Sequence, residues 1–189
     1  MTDALIIRGR TARALVTIEA LTALLLAADN ALGFEGVDLL PGTIVRASTV
    51  LCILIGLAAV IHAMRSREVL ALVIGAQLIG FVIAGPSGVP LQLSAVLITV
   101  IQTVEPFGFS LVAWLTWRRA HGTSARFGSL GMLLLSTVWA IGALAPIPLG
   151  LFLTTQILTI TTLLGLVVGS GWRRLGARIH RLWDSAEIR

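Results

Sequence analysis

The sequence predicts an all-α bundle of six transmembrane helices, and three observations predict it. Mean hydropathy is +0.97. The chain is 57% hydrophobic and only 12% charged, against about 25% charged in soluble domains. Too few polar groups remain to cover a soluble surface. Six apolar stretches follow one another at about 14–33, 43–63, 69–86, 91–117, 128–146 and 148–172, and about 20 apolar residues cross a bilayer core as a helix. The basic residues, fourteen arginines and no lysine, sit at the ends of these stretches. Bases concentrate on cytoplasmic loops, so their spacing predicts topology as well as location.

The first stretch follows Arg8, Arg10 and Arg13. It carries Glu19 in its inner part and Asp29 and Asn30 near its outer end. No A-x-A-like site ends it, so it reads as a retained span and not as a cleaved leader. The connection Phe34 to Gly42 holds Glu35 and Asp38 and no base, which places it outside. The second stretch has Arg46 about one turn in and ends at Met64-Arg65-Ser66-Arg67, inside. The third is short and runs into Gly85-Pro86-Ser87-Gly88-Val89-Pro90, an uncharged outer turn. The fourth ends at Trp117-Arg118-Arg119, with Arg126 beyond it. The fifth and sixth meet at Pro146-Ile147-Pro148, and the sixth ends at Trp172-Arg173-Arg174.

This order predicts three hairpins with both termini cytoplasmic. It divides the chain into a transmembrane domain, 1–172, and a basic tail, 173–189. In the tail Leu175, Ile179 and Leu182 share a helical face, and Arg174, Arg178 and Arg181 share another. Such a helix lies in the headgroup plane. The net charge of +5 flanks spans and forms no continuous basic face. Anionic lipid headgroups are therefore the expected partner, and nucleic acid is not. The arginine bias and the many Ala, Leu and Gly residues point to a bacterial cytoplasmic membrane.

Charges inside a bilayer are costly, so each needs a partner or a purpose. Asp29 and Arg46 fall at similar depth on neighbouring helices, which predicts a structural ion pair. Glu105 falls near the middle of the fourth span, about 18 Å from its inner end. Pro106 follows it and removes a backbone donor, which predicts a kinked or loosened helix. Gln102 lies one turn earlier on the same face. Gln77, Gln156 and Glu19 complete a candidate polar site, with Thr155, Thr159 and Thr162 as a polar stripe nearby. A carboxyl isolated at the midplane can carry a proton, as in proton-coupled carriers. The alternative is that these groups only join helices by hydrogen bonds, the threonines to their own backbone. Small residues four apart, Ala76 with Gly80, Ser136 with Ala140 and Gly165 with Gly169, predict close helix packing within the chain or between copies.

The sequence predicts no catalytic residue, cofactor or metal site. Gly85-Pro86-Ser87-Gly88 matches the GxSG of rhomboid proteases, but His62, His121 and His180 all fall towards the cytoplasmic side, out of reach of Ser87. Without lysine there is no Schiff base. Cys52 alone makes neither a disulfide nor a CxxC site, and no HExxH or Walker A motif is present.

The leading expectation is a transporter, channel-like protein or transporter membrane subunit centred on Glu105. The second is a non-catalytic assembly or stress-response protein, working as a homo-oligomer or with a partner subunit. The third is a membrane-embedded enzyme acting on a lipid. The layout is similar to small three-hairpin acid-resistance membrane proteins of bacteria, in size and hairpin count only.

Overall fold

A computed structural model describes residues 6–33, 36–37, 39–84, 95–145 and 147–186. The side chains of 95, 97–99 and 169–186 are outside this description. So are the Glu35 and Asp38 positions, the turn over 85–90, Pro146 and the two faces expected of the tail.

Among the described residues the chain forms six α-helices and no strand: α1 Arg10–Gly33, α2 Gly42–Ser66, α3 Val69–Ala84, α4 Ala95–Arg119, α5 Thr123–Leu144 and α6 Leu149–Ala186. Each falls on one apolar stretch. α1, α2, α5 and Leu149–Val168 of α6 are long and apolar enough to cross a membrane. The chain is therefore a multi-pass membrane protein. α3, at 16 residues, is about 24 Å long.

Prolines open two helices at the same end of the bundle. The Pro41 carbonyl accepts from the Ile44 and Val45 amides, and the Pro148 carbonyl from those of Leu151 and Phe152. At the other end, which carries the arginines, α2 and α3 join by a tight turn. The Glu68 amide returns to the Ala63 carbonyl at 2.9 Å and the Arg67 amide to that of Met64 at 3.4 Å, a Schellman closure. Its left-handed position is Arg67, with φ 54°, where glycine is the usual occupant.

The helices close into a ring. Each packs on the next in sequence, and α6 returns to α1. α3 also crosses to α1, so the shortest helix is the one most enclosed. Its buried residues, including Leu70, Ala71, Ile74, Leu78 and Val82, cover about half of its circumference. α2 buries only a narrow stripe, Thr49, Cys52, Gly56, Ala59 and Ala63, whose small side chains let neighbours approach closely. Large apolar residues face outwards instead: Leu54 is 59% exposed and Leu134 69%. A lipid-facing surface has this inside-out character, because no solvent term favours burying Leu over Ala.

α6 runs unbroken to Ala186, past the end of the span expected at 172. No proline follows Pro148 to stop it, so the basic tail is helical and continuous with the span.

Candidate functional site

The structure separates the candidate polar residues into two places, each built round a buried carboxyl. Among the described residues neither carboxyl is in an ion pair.

Glu105 is 5% exposed, and its Oε1 has no hydrogen-bond partner. α4 stays helical through Pro106, so the proline leaves Glu105 and Gln102 on one face. Both line a cavity of about 220 Å³. Its other polar lining residues are Asn30 of α1 and Gln156 of α6, and its walls include Phe81, Trp139 and Phe152. The ring brings these together at the end of the bundle away from the arginine clusters: the last turns of α1, α3 and α5 meet the first turns of α4 and α6 there. α2 contributes nothing. In the cavity wall Trp139 packs edge-on against Phe81 at 6.0 Å and tilted on Phe109 at 5.3 Å, which fixes the wall in place.

The glutamines divide by role. Gln102 lines the cavity and also donates from Nε2 to the Ala84 carbonyl at 2.8 Å, satisfying one of the open carbonyls that end α3. Gln156 lines the cavity from the opposite side. Gln77 does not line it. Its Nε2 donates to the Glu105 main-chain carbonyl at 2.6 Å, and its amide lies so close to Gly108 that any Cβ there would collide with it. Gln77 is a strap between α3 and α4. The threonine stripe is likewise internal: Thr155, Thr159 and Thr162 each donate to a carbonyl of α6 at 2.7 Å.

Glu19 belongs to a different place. It is fully buried, and neither carboxyl oxygen has a hydrogen-bond partner. It lies where α1 meets α2 and α3. A Cβ added at Gly56 would collide with its Oε1, and one at Gly75 would come 3.5 Å from its Oε2. The Cys52 thiol donates to the Glu19 main-chain carbonyl at 3.6 Å. Glu19 does not line the Glu105 cavity.

The expected ion pair is also corrected. Asp29 Oδ1 accepts the Leu40 amide at 2.8 Å, and Arg46 is exposed. Depth alone brings the two level, but the returning chain presents a fixed amide to Asp29, and Arg46 points away from the bundle. The ion pair among the described residues is at the basic end. Arg119 Nη1 donates to Glu68 Oε1 at 2.7 Å and to the Ile6 carbonyl at 3.3 Å. It clasps the N-terminal segment, the α2–α3 turn and the end of α4.

Sequence reasoning missed the aromatic walls and Asn30 as cavity residues, because no local pattern says which helix ends converge. Among the described lining residues there is no Ser, Thr, Cys or His, and hence no side-chain nucleophile next to Glu105. Among the described residues no cluster of three His, Cys, Asp or Glu forms a metal-binding group. The arrangement can bind and orient a small molecule and exchange a proton at one carboxyl. No protein-family model, characterised protein or solved structure matches the chain.

Proposed function

We propose that this chain is a small-solute carrier of a bacterial cytoplasmic membrane, with the Glu105 cavity as its binding site. One observation carries the reading: a partly open, mainly apolar cavity holds a buried carboxyl and three amide side chains. Ligand sites combine concave apolar walls with a few placed polar groups in this way. In a membrane interior an ionisable group facing a cavity marks a substrate or proton path. A purely structural carboxyl needs no such space. A lipid enzyme needs a second catalytic group beside the first, and the described lining residues supply none. In this reading the chain is three hairpins with cytoplasmic termini, so the cavity belongs to the outward half of the bundle.

Thiol labelling tests the reading. In a Cys52→Ala background, Gln156→Cys in the cavity wall is compared with Leu134→Cys on the apolar exterior. A membrane-impermeant methanethiosulfonate reagent added to intact cells is expected to modify Cys at 156 and to leave 134 unmodified. Modification of 156 only in inside-out vesicles overturns the orientation. Failure to modify it from either side, in a chain that elutes as a single folded species, overturns the carrier.

A further inference from the structure

We infer that the Glu105 cavity takes a small organic cation and holds it in exchange for a proton. The inference rests on the reading of this cavity as a binding site and adds what enters it.

The charge inventory selects the sign. Glu105 is the one ionisable residue among the described lining residues. No lysine exists in the chain, Arg46 at the cavity's end of the bundle is exposed and on α2, which is not among the lining residues, and the described ion pair uses Arg119 on Glu68 at the far end. An anion in this cavity would face a carboxyl with no base to balance it. A cation would supply the partner that Glu105 Oε1 lacks.

The walls select an organic cation over a metal ion. Alkali and alkaline-earth ions need a tight shell of several oxygens. Here most of the lining is apolar, including Leu26, Val82 and Leu153. Phe81, Trp139 and Phe152 bring aromatic rings to the same space, and aromatic rings attract ammonium groups through their negative faces. Gln102 donates from Nε2 to the Ala84 carbonyl, and its Oε1 is the negative end of a dipole that a cation in the cavity can approach. The cavity, about 220 Å³, fits an amine of modest size and not a drug-sized molecule.

Exchange follows from having one carboxyl. An uncompensated carboxylate in an apolar interior is costly, so Glu105 holds either a proton or the cation. Each monovalent cation that binds displaces one proton, and the step is electrically neutral at the site. Binding of the two is then mutually exclusive, which couples their movements.

The experiment uses the full chain in lipid nanodiscs, with phenyltrimethylammonium as the probe and benzoate and benzyl alcohol as anionic and neutral comparisons. Calorimetry in buffers of different ionisation enthalpy counts protons. Phenyltrimethylammonium is expected to bind with release of a proton. Its affinity should weaken as pH falls, towards about tenfold per unit where the proton occupies the site. Benzoate is expected not to bind. Glu105→Gln should lose at least tenfold in affinity and all pH dependence, and Glu105→Asp should keep the pH dependence. Binding of phenyltrimethylammonium that Glu105→Gln leaves unchanged overturns the inference. So does failure of the cation to bind the folded parent chain, and so does binding of benzoate or benzyl alcohol that protects Cys at 156 from thiol reagent. That last outcome keeps the carrier and removes the cation. A cavity that no thiol reagent reaches removes the carrier itself.

Discussion

Glu19 and Glu105 are the same residue type, both enclosed within the bundle and both with an oxygen that no donor meets. Their surroundings differ. Glu19 is wedged where three helices meet, against positions that only glycine can occupy without contact. Glu105 faces open space bordered by amides and aromatic rings. Burial of a carboxyl is thus no guide to function by itself. The room beside it is the discriminating property, because a ligand or a proton path needs volume and a strut does not. Glu19 sets how closely α1, α2 and α3 pack, and Glu105 sets what the cavity accepts.

The strongest way to break this contrast is to fill the wedge. Gly56→Ala places a methyl group onto Glu19 Oε1 and against Ile79, and overpacking of this kind costs roughly 1–3 kcal/mol. Gly80→Ala has open space at its Cβ position and should be neutral or slightly stabilising, since alanine is the better helix former. Unfolding of the purified protein in mixed micelles measures both. If Glu19 is the main obstruction, Glu19→Ala combined with Gly56→Ala recovers much of the loss, and the two changes are strongly non-additive. Simple additivity would show that Glu19 is not what Gly56 makes room for.

Next in size is removal of each carboxyl in favour of an apolar side chain of similar length. Glu19→Met takes away two buried oxygens that have no partner. An unmade buried hydrogen bond costs about 1–3 kcal/mol, so stability should hold or rise by up to about that amount, with binding of phenyltrimethylammonium retained. Glu105→Met should abolish that binding. If Glu19→Met abolishes it too, with the chain still folded, the two carboxyls lie on one path and the contrast fails.

These two sites also show how far the sequence could be read. Six helices were legible because apolar runs and arginine clusters are local patterns, each complete within about 25 residues. Glu105, Gln102 and Gln156, which line one cavity, stand out in the sequence because charges and amides are rare in spans, whatever surrounds them. The grouping of Glu19 and Gln77 with Glu105 failed for a different reason. Depth along a helix can be counted from the sequence, but rotation about its axis relative to a neighbour cannot, and each residue turns the side chain by about 100°. The Asp29–Arg46 pair failed on the same point. The cavity walls depend on the ring closing between α6 and α1, which is a property of the whole chain.

A smaller effect separates the two readings of Asp29. Because its Oδ1 holds the Leu40 amide, Asp29→Ala should cost about 1 kcal/mol, the usual net value of one hydrogen bond, and Asp29→Asn should cost less. Arg46→Gln should change stability very little. An equal loss from Arg46→Gln and Asp29→Ala, coupled in a double-mutant cycle, would restore the ion pair.

The smallest effect concerns the end of the bundle opposite both cavity and amides. Glu68 is 12% exposed and Arg119 45%, so their attraction is partly screened by solvent. Exposed pairs contribute about 0–1 kcal/mol. Arg119 also donates to the Ile6 carbonyl, which makes it the link between the N-terminal segment and the α2–α3 turn. Glu68→Gln removes the charge and leaves an acceptor, so its cost should be small and should shrink further in high salt. Arg119→Ala loses both contacts and should cost more, with extra hydrogen exchange at the amides of Ile6 and Ile7, which are buried. Cation binding should be unaffected by either change, because the clasp and the cavity are at opposite ends. A clasp mutation that alters cation affinity, with the chain still folded, would show that the two ends are energetically coupled through the bundle.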